Sequence, residues 1–210
     1  MPTINDCCNQ IHEILRNKGQ LFGLDFCFLK YETEKPFPRR GIYFLYSDEE
    51  TGHANPNGSE SRRIIYIGKS NRANETETVY DRIIDHYGAW STNICGHLAE
   101  NLGYTKNEWY KEVSINDVLD RHLKILQSTR KFRFRIISLE KDEIEETEKA
   151  LISIINQCTD CKADKIHGAK GKLLNRHLYR DRVKEKNGTL QFVHGSWEHL
   201  RNLINSTVLT

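Results

Sequence analysis

Five polar residues in this chain have side chains that can bind and cleave a phosphate ester. Tyr43 stands in the run Gly-Ile-Tyr-Phe-Leu-Tyr, and Tyr66 and Lys69 stand in Ile-Ile-Tyr-Ile-Gly-Lys. Arg82 and Glu148 follow in two segments with helical patterns. An arginine offers phosphate oxygens a bidentate fork, and a lysine offers a point charge. A carboxylate is a hard oxygen ligand of the kind that Mg²⁺ prefers. These residue types therefore predict chemistry at a phosphate.

Two strands are expected to position the tyrosines. Residues 42–46 are apolar and aromatic, and residues 64–67 are mostly β-branched before Gly68 stops the run. Strand side chains alternate between faces, so antiparallel pairing lets Tyr43 and Tyr66 face the same side. Gly68 has no Cβ and would let a ligand approach the backbone closely. The alternative is that both tyrosines are ordinary core residues and Gly68 a turn glycine.

A helix over about residues 142–156 is expected to position Glu148. Ile144, Glu148, Leu151 and Ile155 form one stripe at helical spacing, so the carboxylate belongs to the apolar face. A carboxylate there is costly unless it is paired or binds a metal. Glu145, one turn earlier, is the alternative site residue.

The ordered set of Tyr43, Tyr66, Gly68, Arg82, His86 and Glu148 resembles the GIY-YIG nuclease family. Its two signature tripeptides stand here letter for letter, as residues 41–43 and 66–68. An Arg followed four residues later by a His resembles the restriction-endonuclease branch, and residues 148–152 resemble the family's Glu-x-x-Leu-Ile signature. The resemblance covers about residues 38–87 and 131–156. It implies an α+β fold: a small antiparallel sheet flanked by helices, with helical and loop insertions.

The resemblance also implies a metal-dependent endonuclease that hydrolyses DNA phosphodiester bonds with water. Glu148 would bind Mg²⁺, for which Mn²⁺ could substitute, and Arg82 would clamp the phosphate. Tyr43 would act as the general base while Tyr66 orients the water, and the two tyrosines exchanging roles is the alternative. The implied catalytic residues are Tyr43, Tyr66, Lys69, Arg82, His86, Glu148 and Asn175. The match of Asn175 requires an insertion relative to the family, and Asn156 is the alternative.

Double-stranded DNA is the expected substrate, and the restriction-like motif predicts cutting at a specific short site. Such enzymes often act as homodimers, because a palindromic site mirrors a two-fold axis. One alternative is a repair, mobile-element or defence nuclease of the same fold with loose or structure-based specificity. A second is a nucleic-acid-binding protein that does not cut.

The charge distribution fits a phosphate-binding surface near the C-terminus. Net charge is only +2, but residues 162–186 hold nine Lys or Arg against three Asp or Glu. A basic segment on a mildly acidic body can follow a phosphate backbone, and the alternative is a solvated face. The predicted DNA-binding residues are Arg39, Arg40, Lys172, Arg176, Arg180 and Arg182.

The six cysteines are unevenly spaced and do not predict a secreted disulfide framework. Cys158-Thr-Asp-Cys161 can be half of a zinc site, but adjacent Cys7 and Cys8 lack ligand spacing. Reduced, buried thiols are therefore favoured. Without a recognisable signal peptide or an apolar run of membrane-spanning length, we expect a cytoplasmic protein with no membrane contact.

The chain is interpreted as a single domain over residues 1–210. Its core comprises about residues 38–87 and 131–175, preceded by a helix over residues 3–18. A helical insertion is expected over residues 88–130 and a basic C-terminal segment over residues 162–210. The link over residues 47–63 is unusually long for the family, and residues 55–58 predict a turn. An extended hairpin, a mobile flap and a disordered polar loop are each compatible with it. A last helix is expected to begin after Ser196 and to run through about Asn205.

Overall fold

A computed structural model describes most of the chain. Its described residues are 2–23, 37–54, 60–71, 78–88, 105, 107–108, 114, 132–162, 171–175 and 177–210. The expected helical insertion and the turn at residues 55–58 fall almost entirely outside these ranges. No helix among the described residues is long and apolar enough to cross a bilayer.

A four-stranded antiparallel sheet forms the centre of the fold. Its strands are β1 (Phe22–Gly23), β2 (Arg40–Ala54), β3 (Glu60–Asn71) and β4 (Phe132–Ser138), in the order β1-β4-β2-β3. The two signature tripeptides lie on paired neighbours, since Gly41 stands opposite Ser70 and Tyr43 opposite Gly68. With its helices, this sheet confirms the α+β fold predicted from the sequence.

In the described part of the chain, four helices surround the sheet: α1 (Ile4–Lys18), α2 (Val79–Gly88), α3 (Lys141–Gln157) and α4 (Trp197–Thr207). Thr3 caps α1 in a capping box with Asp6, and Gly19 ends it. Ser196 caps α4 by accepting a hydrogen bond from the His199 amide. The expected start of both helices is thereby confirmed.

The sheet separates two hydrophobic cores. Ile42, Phe44 and Tyr46 of β2 face α1, α3 and α4. Tyr43 and Leu45 face the opposite side, where α2 packs. Side chains alternate between the two faces along β2. Of the described helices, one therefore packs on the face that carries the tyrosines and three pack on the other face.

Beyond Ser47, where pairing with β4 ends, β2 and β3 continue as a two-stranded hairpin arm comprising residues 48–54 and 60–63. Within residues 47–63, the described residues 47–54 and 60–63 form the extended hairpin. The arm is held to the body by a bridge between His53 and Cys161. It therefore has a second attachment besides its own strands.

The C-terminal part contains a small separate hairpin. Its strands are β5 (Val183–Lys186) and β6 (Thr189–Phe192). Residues 171–175 form no helix or strand but run along the free edge of β3, where the Leu174 amide donates to the Ile65 carbonyl at 2.8 Å. Within the basic C-terminal segment, the described residues 171–175 and 177–182 form no helix or strand, and β5 begins at Val183.

Candidate active site and candidate metal centre

The two signature tyrosines share one face of the sheet, as the sequence predicts. Tyr43 is opposite Gly68 and Tyr66 is opposite Leu45, which places all four residues on the α2 side. The two rings have centroids 6.1 Å apart, and the two hydroxyls are hydrogen-bonded. Tyr43 is fully buried, whereas Tyr66 is only partly buried. A β-bulge at Ile65 precedes Tyr66 and changes the local direction of β3.

A glycine is required at position 68 because the Tyr43 ring occupies the space where a Cβ would lie. A Cβ at this position would overlap the Tyr43 hydroxyl and would lie 2.7 Å from Cε1 of Tyr66. From the sequence, this space was predicted to admit an approaching ligand, but the Tyr43 ring occupies it. The glycine therefore allows the phenol of one signature tripeptide to lie against the backbone of the other.

Glu148 is held by Lys69. The lysine Nζ lies 3.0 Å from Oε2 of the carboxylate, which is buried on the apolar face of α3. Burial raises the pKa of Glu148 above its ordinary value, and the Lys69 ammonium opposes that shift. Glu145 is exposed and pairs with Lys149 at 2.7 Å. Of the two candidate glutamates, Glu148 is thus the one that the fold brings to the lysine of β3.

Tyr66 experiences the charges of both helices. Burial, reinforced by the charge of Glu148 on α3, raises the pKa of Tyr66 to about 12, and Arg82 on α2 partly opposes the shift. Tyr66 is therefore a protonated phenol at neutral pH. His86 lies one turn after Arg82 on α2, but its side chain is outside the described part of the chain.

Asn175 contacts the backbone of β3 between Tyr66 and Gly68. Its Oδ1 accepts from the Ile67 amide at 3.2 Å, and its Nδ2 donates to the Ile67 carbonyl at 2.7 Å. Asn175 thus provides hydrogen-bond partners for both the amide and the carbonyl of Ile67 at the unpaired edge of β3. It is therefore a positioning residue.

The alternative asparagine, Asn156, holds the start of the same segment. Its Oδ1 accepts from the Lys172 amide at 2.8 Å. Both asparagines therefore fix residues 171–175, but only Asn175 contacts the strand that carries the tyrosine.

The predicted DNA-binding residues are dispersed. Lys172 donates to the Cys161 carbonyl at 2.6 Å, and Arg182 lies 3.6 Å from Glu146. Both therefore have partners within the protein. Arg39 and Arg180 are exposed, whereas Arg40 is partly buried at the start of β2. Arg176 is outside the described residues.

A cluster of two cysteines and two histidines could hold a metal ion. Cys8, His12, His53 and Cys161 are buried, and their ligand atoms all lie within 4.8 Å of one another. The Cys161 sulfur lies 3.5 Å from Sγ of Cys8, 3.5 Å from Nε2 of His12 and 3.1 Å from Nδ1 of His53. Burial lowers the pKa of His12 to about 3, so its ring is a neutral imidazole.

Only Cys161 of this cluster was predicted as a possible metal ligand from the sequence. Cys8 was not, because adjacent Cys7 and Cys8 lack the usual spacing of ligands. The missed signal was Cys8 followed by His12, which one helical turn brings to the same face of α1.

No protein-family model, curated protein or solved structure matches this chain. The roles of its residues must therefore be argued from their own chemistry and geometry.

Proposed function

We propose that this protein is a metal-dependent endonuclease that hydrolyses DNA phosphodiester bonds. The observation that carries the proposal is the arrangement around Tyr66. A hydrogen-bonded phenol pair lies within electrostatic reach of Arg82 and of the buried Glu148–Lys69 pair. Burying a charged group costs free energy of folding. Ionisable groups with perturbed pKa values are concentrated at functional sites.

Glu148 is the residue that would bind Mg²⁺. The donor set fits, because Mg²⁺ commonly takes one or two protein carboxylates and completes its coordination with water and substrate phosphates. Burial disfavours the carboxylate charge, and a cation would compensate it better than Lys69 alone. When bound, the ion supplies charge stabilisation at the phosphate oxygens. Mn²⁺ offers a similar preference for oxygen ligands.

The phenols divide the work on the attacking water. Tyr66 stays protonated at neutral pH and donates a hydrogen bond that orients the water. Tyr43, acting as a phenolate, would accept the proton of that water and become a neutral phenol, which is the general-base role that the family resemblance suggests. Arg82 holds the non-bridging oxygens as negative charge builds on the phosphate, and such preorganised donors contribute strongly to rate. Lys69 sets the charge state of Glu148.

The hairpin arm supports double-stranded DNA as the substrate. A two-stranded β-ribbon fits the major groove, where each base pair presents a distinct pattern of donors and acceptors. The arm continues directly from the strands that carry Tyr43 and Tyr66. Site-specific cutting of the restriction type, by a homodimer, is part of this proposal. The four described cysteines are free thiols, which agrees with the proposed cytoplasmic location.

The decisive experiment is cleavage of mixed plasmid and genomic DNA in Mg²⁺ or Mn²⁺ by wild type, Glu148→Ala and Glu145→Ala. We expect discrete fragments from wild type and from Glu145→Ala, and a loss of at least about a hundredfold for Glu148→Ala. Glu145 is the matched control, since it lies one turn away on the same helix.

Each of the other outcomes would contradict one part of the proposal. A smear that Glu148→Ala abolishes would retain the nuclease and contradict site specificity. Equal losses in both variants would contradict the assignment of Glu148. If no variant cuts in either metal while wild type still binds DNA, the proposal is wrong and the protein is a binding protein.

A further inference from the structure

The proposed nuclease chemistry leaves the Cys/His cluster without a role. Its four residues come from three distant parts of the chain: Cys8 and His12 from α1, His53 from the hairpin arm, and Cys161 from the segment after α3. Each is less than a tenth exposed. Buried polar groups normally have strong partners, yet thiols form only weak hydrogen bonds. The cluster therefore calls for an explanation other than core packing.

The distances fit a tetrahedral metal site. With the usual zinc–sulfur and zinc–nitrogen bond lengths, ligand atoms of a tetrahedral site lie about 3.3–3.8 Å apart. The Cys161 sulfur is 3.5, 3.5 and 3.1 Å from the ligand atoms of Cys8, His12 and His53. The other pairs of ligand atoms lie within 4.8 Å of one another. The rings of His12 and His53 are stacked with centroids 4.1 Å apart, so they would rotate to direct their nitrogens at one ion.

A second contact orients one of the histidines. Nε2 of His53 is hydrogen-bonded to the amide oxygen Oδ1 of Asn9. Because that oxygen only accepts, Nε2 must carry the hydrogen, which leaves the lone pair on Nδ1. Nδ1 is the atom that faces Cys161. Metal-binding histidines characteristically donate their other N–H in this way, which fixes the tautomer and the ring.

The surroundings also suit thiolates. Lys172 donates to the Cys161 carbonyl at 2.6 Å and places a positive charge beside the sulfurs. Cys158 is buried and is hydrogen-bonded to the Cys8 and Cys161 thiols. Cys158 is the acceptor in both contacts, and it lies beside the four residues without belonging to the group whose ligand atoms all lie within 4.8 Å of one another.

We propose that Cys8, His12, His53 and Cys161 bind one Zn²⁺. Two sulfurs and two imidazole nitrogens in a buried site are a donor set for zinc rather than for Mg²⁺ or Ca²⁺. Four protein ligands leave no open position for water or substrate, so the ion is structural. It fastens the hairpin arm and the segment after α3 to α1. This proposal does not depend on the nuclease proposal.

The test begins with the metal content of the full chain, purified without a histidine tag from cells grown with zinc. We expect about one zinc per chain in wild type and a loss of at least about tenfold in Cys8→Ala. Cys7→Ala is the matched control, because Cys7 is equally buried on the same helix but lies outside the cluster. It should retain its zinc, and so should Cys158→Ala.

Cobalt substitution supplies a readout that needs no variant. Replacing zinc by Co²⁺ in wild type should give the visible bands of tetrahedral cobalt and a thiolate-to-cobalt charge-transfer band. If Cys8→Ala does not fold, His53→Ala replaces it as the test variant, because residue 53 lies on the hairpin arm outside the four-stranded part of the sheet. His53→Ala should show neither the visible cobalt bands nor the charge-transfer band. A wild type without zinc, equal zinc in Cys7→Ala and Cys8→Ala, or a cobalt spectrum without the charge-transfer band would overturn the proposal.

Discussion

The tyrosine site and the Cys/His cluster both bring together side chains from a helix and from the β2–β3 hairpin, but they differ in charge and in access. In the tyrosine site, Lys69 keeps about a third of its side chain exposed, and Tyr66 and Arg82 are only partly buried. In the cluster, His53 is 1% and Cys8 0% exposed. An open, charged site can exchange a ligand, whereas a closed site of soft donors retains one. This difference agrees with the proposed roles, a substrate site in the first region and a structural ion in the second.

Segment 171–175 connects the two regions. At one end Lys172 contacts the carbonyl of the cluster residue Cys161, and at the other end Asn175 holds the β3 backbone beside Tyr66. This connection raises the question of whether the regions act independently. A variant that alters either the tyrosine site or the Cys/His cluster leaves the other region as its control.

The largest effect is expected from Gly68→Ala. The new methyl group would overlap the Tyr43 hydroxyl and displace the phenol pair. A displacement of about 1 Å at a reacting centre can cost about a hundredfold in rate, and overpacking costs about 1–3 kcal/mol of stability. Cleavage rates and urea unfolding measure the two effects, and zinc content should not change.

The control for this variant is Gly188→Ala in the β5–β6 turn. Gly188 has φ +69° and no atom near the position of a Cβ, so alanine adds backbone strain without a collision. It should keep normal cleavage. If Gly68→Ala cleaves normally as well, the tyrosine pair is not the reacting centre.

The sequence predicted the tyrosine site better than the cluster for a physical reason. Strand alternation and the register of one hairpin determine which way Tyr43 and Tyr66 point, and helical periodicity determines the face of Glu148. These rules act over a few residues. Cys8 and Cys161 are separated by 153 positions, and His53 and Cys161 by 108. Only the packing of α1, the arm and the end of α3 brings them together.

The same limit applies to the edge of β3. The sequence favoured Asn175 and left Asn156 as the alternative, because nothing local to either residue shows where the intervening segment runs. The structure distinguishes them by their partners: Ile67 for Asn175 and Lys172 for Asn156. The capped start of α1, in contrast, was predictable because Thr3 and Asp6 lie within one turn.

An intermediate effect is expected from removing each asparagine. Asn175→Ala leaves the Ile67 amide and carbonyl without these bonds and should cost about 1–3 kcal/mol, with cleavage reduced as β3 shifts. Asn156→Ala should cost a similar amount through loss of the Lys172 contact and should reduce zinc retention instead. Urea unfolding, cleavage rate and zinc content together measure this. If each variant changes cleavage and zinc content equally, the two regions are one unit.

The smallest effect on stability, and one of opposite sign, is expected from Glu148→Gln. Burial raises the folded-state pKa of Glu148 above the ordinary value of 4.5, so the folded protein holds its proton more tightly than the unfolded chain. The stability contributed by the protonated carboxyl is fully present below pH 4.5 and is lost as pH rises through the folded pKa. Glutamine has no proton to lose. Glu148→Gln should therefore be more stable than wild type at pH 7, by about 1 kcal/mol, while it fails to cleave.

Urea unfolding at pH 4 and pH 7 checks this sign, because the advantage of Glu148→Gln should disappear at the lower pH. Glu145→Gln is the matched control and should behave in the opposite direction. Hydrogen bonding to Lys149 lowers the pKa of Glu145, so its charge favours folding above the unfolded pKa and glutamine removes that contribution. A Glu148→Gln variant less stable than wild type at pH 7 would mean that the Lys69 pair outweighs burial. The open site would then resemble the closed cluster, as a structural element that stabilises the fold rather than a centre that trades stability for reactivity.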